Sequence, residues 1–143
     1  MVKTNEAKPR RLSIPLLQQR LDQVFSEYIR LRDASENGYC HCITCGLPWR
    51  WKIIHNGHYI DRRHIATRYD ERNCHAQCPN CNVGLRGNLD KYKRFIIHKY
   101  GVKVLEELES SRHILAKWSV ADYQEKIEYY LGEVKRLRKE KGL

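Results

Sequence analysis

The chain has 143 residues, of which 27 are Lys or Arg and 17 are Asp or Glu, so its formal net charge is +10. This length suits one domain with a modest core, and the charge favours a polyanionic partner such as nucleic acid. Every apolar run is shorter than the roughly 20 residues that a membrane helix needs. The first residues lack the apolar segment of a signal peptide. We therefore expect a globular protein of the reducing cytoplasm with no membrane partner, in which six cysteines favour a metal over disulfides.

The N-terminal part predicts a flexible basic arm followed by a long helix. Residues 1–12 form the arm. Ser13 is a suitable helix cap and Pro15 falls in the first turn, so we expect a helix over residues 13–37 that ends at Asn37-Gly38. Its apolar positions recur at a spacing of three and four: Leu17, Leu21, Val24, Phe25, Tyr28, Ile29 and Leu31.

The middle of the chain, residues 39–88, carries all the cysteines and lacks a helical period up to Asn82. Aromatic and β-branched residues predict a strand over residues 49–54 that leads into Gly57-His58-Tyr59-Ile60. An arginine-rich loop covers 61–72. A short helix begins between Pro79 and Asn82 and is interrupted by Gly84 and Gly87.

The C-terminal part, residues 89–141, predicts helices. Asn88 is a candidate cap for a helix that carries Tyr92, Phe95, Ile96 and Tyr100 on one face and ends at Gly101, and a short helix follows with Val102, Leu105 and Leu108. Ser119 and Asp122 resemble a capping box. The last stripe contains Tyr123, Ile127, Tyr130, Leu131, Val134 and Leu137. The fold class we expect is α+β, with one domain over residues 13–143.

Two Cys-x-x-Cys pairs, Cys42/Cys45 and Cys78/Cys81, have the spacing of a closed all-thiolate zinc site. Four protein ligands leave no open position for water, so this zinc is expected to be structural. Cys40 could replace Cys42, because Cys40-x-Cys42 is also a knuckle fragment. Otherwise Cys40 and Cys74 are expected to be small buried apolar residues.

Residues typical of a hydrolytic site lie within and beside the cysteine frame. A neutral imidazole at His58 could take a proton from water, and hydroxide attack on a phosphodiester also needs a divalent cation such as Mg²⁺ or Mn²⁺. Asn82 offers an amide oxygen of the kind such hard ions prefer. Asn73 could orient the imidazole from an adjacent strand. Alternatively, His58 is an ordinary core or surface histidine, and the two asparagines are cap or turn residues.

Basic residues flank this region on both sides. We expect them to contact DNA phosphates, which positions a duplex without reading its sequence. Those before the second cysteine pair are Arg62, Arg63, Arg68 and Arg72, and those after it are Arg86, Lys91, Lys93 and Arg94.

The order Cys-x-x-Cys, His, Asn, Cys-x-x-Cys-Asn resembles the zinc-bearing branch of the HNH (ββα-metal) nucleases, including endonuclease VII-type junction resolvases. Over roughly residues 40–108 the chain more closely resembles the phage NinG/Rap recombination proteins. The motifs that carry this second resemblance are Cys42-x-x-Cys45-Gly46, Gly57-His58-Tyr59-Ile60-x-Arg62, Arg68-Tyr69-Asp70, Asn73-x-His75-x-Gln77-Cys78-x-x-Cys81-Asn82 and Gly87-Asn88-x-x-x-Tyr92.

The resemblance implies a small zinc-bound ββα-metal core and a structure-selective DNA endonuclease that acts on branched recombination intermediates such as Holliday junctions. It assigns His58 as the general base, Asn82 as a metal ligand and Asn73 as the residue that orients the base. Many HNH proteins have Asp directly before the catalytic His, whereas this chain has Gly57. The second ligand is therefore open among Asp61, His64, Asp70 and His75. We favour His75, with packing beneath the site as its alternative role.

Two other functions remain open: a site-specific HNH nuclease of the restriction or homing type, and a non-catalytic zinc-ribbon DNA-binding protein. The terminal helices could also form a homodimer, because a two-fold junction suits two nuclease sites. A helix stripe more often packs within its own domain.

Overall fold

The first and last helices of the chain pack against each other and form the largest core. The computed structural model describes residues 12–143, so the predicted arm lies, apart from Leu12, outside the described residues. Helix α1 spans Ile14–Asp33 and helix α5 spans Val120–Lys141. Their buried faces contribute Leu17, Leu21, Phe25, Tyr123, Ile127, Tyr130 and Val134. Each buried side chain of this size contributes about 1.5–3 kcal/mol of transfer free energy, which makes this helix pair the main support of the fold.

Helix α1 begins where the sequence predicted but ends earlier. The Ser13 side chain accepts a hydrogen bond from the Leu16 amide, which confirms the cap. The predicted end at Asn37 is wrong, because the backbone becomes extended at Ala34. The Asp33 carboxylate accepts the Ala76 amide at 2.8 Å, so the chain leaves the helix where it meets a strand.

Helix α5 confirms the predicted capping box, since Ser119 and Asp122 bond to each other's backbone amides. One position of its stripe is wrong: Leu131 is 52% exposed. Leu131 follows buried Tyr130 directly, and a step of about 100° around a helix turns it toward solvent.

Four short strands form two antiparallel pairs. Strand β1 (Tyr39–His41) pairs with β2 (Pro48–Arg50), and β3 (His55–His58) pairs with β4 (Cys74–Gln77). The prediction of a strand over residues 49–54 that leads into Gly57-His58-Tyr59-Ile60 is therefore wrong beyond Arg50. The chain turns at residues 51–54, where the Ile53 and Ile54 amides both donate to the Arg50 carbonyl. Trp51 is buried in the main core and cannot continue along an edge strand.

The two faces of β4 pack against different parts of the molecule. Cys74 and Ala76 belong to the core between α1 and α5. His75 faces the other way, toward Tyr92 and Phe95 of helix α3 (Leu89–Tyr100). Neighbouring residues of one short strand can thus support two cores, because side chains alternate along a strand.

A single π-helical turn, Asn80–Gly84, links β4 to α3. A second core forms from Ile60, Tyr92, Ile96, Leu105 and Leu108, where α3 packs against helix α4 (Val102–Ser111). Gly101 separates α3 from α4 with φ +93°, as expected for a glycine stop. Asn88 begins α3, but the prediction that its side chain caps the helix is wrong, since its amide points toward Cys81 Sγ at 3.6 Å.

The remaining helix, α2, is short and spans Ile65–Arg68. The α+β class predicted from the sequence is confirmed: helices at both ends enclose two small sheets. Among the helices of residues 12–143, none combines the length and apolarity needed to cross a membrane.

Candidate metal centre and adjoining cleft

The four paired cysteines come together in one cluster. The sulfur atoms of Cys42, Cys45, Cys78 and Cys81 all lie within 4.8 Å of one another. Cys42 and Cys45 occupy the turn between β1 and β2, and Cys78 and Cys81 occupy the turn after β4. A tetrahedral ion with bonds of about 2.3 Å needs sulfur atoms about 3.8 Å apart, and the Cys45 and Cys78 sulfur atoms lie 3.8 Å apart. The cluster could therefore hold a metal ion, and its all-sulfur composition fits structural zinc.

The electrostatics of the cluster also suit a dication. Burial would raise the pKa of Cys42, but hydrogen bonds from nearby backbone amides and from Thr44 hold it at about 6. Burial and the neighbouring thiols raise the pKa of Cys78 to about 12. Without a cation, one thiolate thus makes the ionisation of the next one harder. A bound Zn²⁺ would remove this repulsion and hold all four as thiolates.

Cys40 and Cys74 lie outside the cluster, and both are fully buried. Cys40 Sγ lies 3.2 Å from the Arg30 carbonyl oxygen, and burial raises the pKa of this thiol to about 12. Cys74 Sγ lies 3.5 Å from the Arg68 carbonyl oxygen. Their predicted role as small buried residues is confirmed, and Cys42 rather than Cys40 completes the cluster.

A cleft of about 600 Å³ lies beside the cluster. Strand β3, helix α1 and the turn after β4 form its walls. His58 and Asn82, which the sequence singled out separately, both line it. Its other lining residues include Asp22, Ser26, Arg30, Lys52, His55, Asn56, Asp61, Arg62, Tyr69 and Arg86.

The imidazole of His58 has a defined partner. Its Nε2 lies 2.9 Å from the carbonyl oxygen of Arg68. A carbonyl only accepts, so Nε2 must carry a proton, and the neutral ring then has its lone pair on Nδ1. Burial lowers the pKa of His58 to about 4, so the ring is neutral at pH 7. The ring can therefore accept a proton at Nδ1.

Asn73 lies in the interior, and none of its side-chain hydrogen bonds within residues 12–143 goes to His58. Its amide accepts from the Ile60 amide at 2.8 Å and donates to the carbonyl oxygens of Ile60 and Thr67. These bonds hold the chain that leaves β3 and the end of α2. Because Thr67 precedes Arg68, Asn73 fixes the segment whose carbonyl bonds to His58. The structure thus connects Asn73 to the imidazole through the backbone.

Asn82 lies in the π-turn directly after Cys81, and its side chain reaches His55. The Asn82 Nδ2 and His55 Nδ1 atoms are 3.1 Å apart. The sequence patterns did not single out His55. The sequence did offer a hint of this role, because His55 lies three residues before His58, with Gly57 between them. The contact became visible only when the register placed His55 opposite Gln77, next to Cys78.

His75, the favoured second metal ligand, lies away from the cleft. It is fully buried, and its ring nitrogens lie 3.1 Å from the Tyr92 hydroxyl and 2.8 Å from the Tyr100 hydroxyl. Burial lowers its pKa to about 3. This geometry agrees with the alternative role of packing beneath the site, and we do not propose His75 as a metal ligand.

The other candidate ligands have ion-pair partners or lie at helix ends. Asp61 lines the cleft but pairs with Arg63 at 2.8 Å, which holds the pKa of the carboxyl well below its usual range. Asp70 pairs with Arg72 at 2.9 Å. His64 begins helix α2 and is not among the residues that line the cleft.

Gly57 pairs with His75 in the strand register, and the side chain of its diagonal neighbour Gln77 lies against it. A Cβ atom added to Gly57 would lie 2.7 Å from the Gln77 Cβ and closer still to its amide oxygen. Gln77 is fully buried and donates to the Gly87 carbonyl at 2.7 Å, so it cannot easily move. The space that an aspartate would need at position 57 is therefore filled.

The predicted DNA-contacting residues fall into three groups. Arg62 and Arg86 are exposed and line the cleft, together with Arg30 and Lys52, which the sequence did not single out. Lys91, Lys93 and Arg94 are exposed on α3, away from the cleft lining. The others form ion pairs within the protein: Arg63 with Asp61, Arg68 with Asp22, and Arg72 with Asp70 and Glu107.

Fold and site together define a small α+β protein in which a four-cysteine cluster that could hold a metal ion adjoins a basic cleft. Residues 2–140 match the profile of the family described as "Bacteriophage Lambda NinG protein". This match covers nearly the whole chain, so the chain belongs to the NinG family. The predicted resemblance to NinG proteins is thereby confirmed, and the match extends well beyond residues 40–108.

Individual phage proteins agree with this assignment. "Protein ninG" of Salmonella phage P22 is 34% identical over 115 residues, which cover 73% of this chain and 53% of the relative. "Protein ninG" of Escherichia phage lambda is 33% identical over 115 residues, or 73% of this chain and 52% of the relative. The chain thus spans about half the length of the curated relatives it matches. No solved structure matches it.

Proposed function

We propose that this protein is a metal-dependent DNA endonuclease of the HNH type that hydrolyses phosphodiester bonds in branched recombination intermediates. One observation carries the proposal: His58 and Asn82 line the same cleft beside the four-cysteine cluster. Neither residue is needed to complete that cluster. An imidazole with a free Nδ1 and an amide in one basic cleft suit hydrolysis of a phosphate ester.

The chain order of the elements supports an HNH core. The antiparallel pair β3 and β4 is followed by a helical turn that carries Asn82 and then by α3. His58 ends the first strand of this unit. The cysteine cluster fixes the start of the helical turn, because Cys78 precedes it and Cys81 lies within it. This β-β-helix order is the order that the ββα-metal resemblance implies.

The chain's own residues suggest how the reaction proceeds. His58 Nε2 donates to the Arg68 carbonyl, so Nδ1 accepts the proton of the attacking water. Asn73 holds the segment that carries this carbonyl and thereby positions the ring. The Asn82 amide would help to hold a divalent cation, which neutralises charge on the phosphate and on the leaving oxygen. Arg62 and Arg86 then contact the flanking phosphates.

The preference for branched DNA rests on the family resemblance and on how the cleft presents its charge. Its exposed basic residues contact the backbone, and such contacts read the shape of DNA rather than its sequence. A homodimer would present two such clefts to a junction, and sedimentation of the protein with and without a four-way junction tests it.

The proposal is tested by cleavage of a synthetic four-way junction and of matched linear duplexes, with Mg²⁺ or Mn²⁺. We expect faster cleavage of the junction. A preference for linear duplex would favour the site-specific nuclease instead. Binding to the junction without cleavage in either metal would favour the non-catalytic DNA-binding protein.

A further inference from the structure

The contact between His55 and Asn82 joins two potential metal ligands in the wall of the cleft. The Asn82 Nδ2 atom lies 3.1 Å from His55 Nδ1. With the amide N–H as the donor, this His55 nitrogen presents a lone pair. The oxygen and nitrogen of an amide have nearly the same shape, and a rotation of the amide would bring Oδ1 to the same place.

The separation of the two atoms suits one shared ion. Neighbouring ligands of an octahedral ion with bonds of about 2.1 Å lie about 3 Å apart. Asn82 is held by its place in the turn after Cys81, and His55 is held by its pairing opposite Gln77, which precedes Cys78. The cysteine cluster therefore fixes the backbone on both sides of this pair without using either side chain.

A second feature of the cleft points independently to a ligand. Asn56 lines the cleft, and its Oδ1 is buried without a hydrogen-bond partner among residues 12–143. A buried amide oxygen without a partner costs about 1–3 kcal/mol. A cation, or water bound to it, would supply the missing partner. Side chains alternate along β3, so Asn56 shares its strand face with His58, and this acceptor lies on the side of the cleft that holds the proposed base.

We propose that His55 Nδ1 and the amide oxygen of Asn82 together bind the divalent cation of this cleft, and that the nitrogen ligand makes the site favour Mn²⁺ over Mg²⁺. His55 thereby replaces the ligand that Gly57 cannot supply. Magnesium ions prefer oxygen ligands, whereas imidazole suits transition-metal ions and amide oxygen suits Mn²⁺. The proposal deepens the nuclease function proposed above and rests on it for the ion's chemical role, but ion binding can be measured without cleavage.

The test uses the zinc-loaded full chain and follows Mn²⁺ binding by electron paramagnetic resonance, with Mg²⁺ as a competitor. The variants are His55→Ala, Asn82→Ala and, as a matched control, the exposed His98→Ala. Circular dichroism and zinc content verify that each variant is folded. Broadening of the His55 ring protons in nuclear magnetic resonance spectra locates the ion.

We expect His55→Ala and Asn82→Ala to weaken Mn²⁺ binding tenfold or more, since even the loss of groups that only support metal ligands costs about 10- to 100-fold. His98→Ala should bind as the wild type does. His55→Asp, which supplies oxygen in place of nitrogen, should lower the ratio of Mn²⁺ to Mg²⁺ affinity. This variant also tests the proposal if His55→Ala does not fold.

Several results would overturn the inference: no Mn²⁺ binding by the wild type, binding within twofold of wild type in His55→Ala, or an unchanged metal ratio in His55→Asp. Failure of the nuclease function has a different signature. In that case Mn²⁺ binds and depends on His55, but neither junction nor duplex DNA is cut.

Discussion

The imidazole Nε2 of His58 lies 2.9 Å from the carbonyl oxygen of Arg68. This contact selects the tautomer of the ring and leaves Nδ1 as the atom that can accept a proton. It also connects strand β3 to the end of helix α2, so the position of the ring depends on the loop between them. Asn73 holds this loop from within the core through its bonds to Ile60 and Thr67.

Replacement of His58 should remove cleavage but not DNA binding. His58→Gln keeps a donor for the Arg68 carbonyl and cannot act as a base at neutral pH. We expect His58→Gln and His58→Ala to slow junction cleavage by at least about 100-fold, the low end of the usual contribution of a general base. Junction affinity, measured by gel shift, should change little. His98→Ala is the control, and wild-type cleavage by folded His58→Gln would refute the assignment.

The pH dependence of cleavage should reflect the burial of His58. Burial lowers its pKa to about 4, below the about 6.5 of a free histidine. The base therefore stays neutral well below pH 6.5. We expect the rate of single-turnover cleavage to decline with acid only below pH 6.5. This decline should flatten in His58→Gln. A midpoint at or above pH 6.5 would mean that another group limits the rate.

Acid should also weaken the fold through His75. Burial lowers the pKa of His75 to about 3, so between about pH 6.5 and 3 the unfolded chain binds more protons than the folded one. The stability that neutral His75 contributes is complete above about pH 6.5 and is lost as the pH falls toward 3. Thiolate ligands also take up protons as the pH falls, so the pH dependence of stability must be compared between wild type and His75→Gln. Urea midpoints of His75→Gln should vary less steeply with pH than those of wild type.

A side chain at position 57 should destabilise the protein. The methyl group of Gly57→Ala would overlap Gln77, and overpacking of this kind costs about 1–3 kcal/mol. Gly132 in α5 is a matched control, because a Cβ there meets nothing within 4 Å. Gly132→Ala should leave stability equal or raise it by up to about 1 kcal/mol. Urea unfolding measures both variants, and equal stability of Gly57→Ala and wild type would contradict the predicted overlap.

Removal of the metal centre should unfold the middle of the chain. We expect one zinc per molecule and its loss in Cys78→Ser, with a lower melting temperature because the turns at both cysteine pairs would no longer share an ion. Cys40→Ala is the control, since Cys40 lies outside the cluster. It should retain zinc even if its smaller side chain lowers the stability of the core. Full zinc content in Cys78→Ser would exclude the four-cysteine site.

The arginines should separate into residues that bind DNA and residues that support the fold. Arg62→Ala and Arg86→Ala should weaken junction binding and make it less dependent on salt. The slope of log affinity against log salt concentration should become shallower by about one for each phosphate contact that is lost. Arg68→Ala should instead lower stability, because it leaves the half-buried Asp22 carboxylate without its cation, with only the Tyr69 hydroxyl as a side-chain donor. Binding titrations at several salt concentrations and urea unfolding distinguish these effects. Unchanged binding by both Arg62→Ala and Arg86→Ala would argue against this cleft as the DNA site.

Local sequence patterns predicted correctly the features that depend on residues close together in the chain. The Ser13 cap, the capping box at Ser119 and the stop at Gly101 each involve a few neighbouring residues, and each is found in the structure. The same patterns were misleading where packing outweighs local preference. Trp51 interrupts an otherwise good strand because it enters the core beside α1.

The Cys-x-x-Cys spacing predicted the four-cysteine cluster, because each pair presents two sulfur atoms from a single tight turn, and the structure chose Cys42 over Cys40. The sequence also determined the α+β class and the family. Only the tertiary structure could decide which side chains meet around the cleft and beneath it: His75 packs against tyrosines, Arg68 pairs with Asp22, and His55 meets Asn82. The two residues in each of these contacts are separated by 17 to 46 positions in the sequence. They depend on strand register and on helix packing, which no local spacing specifies.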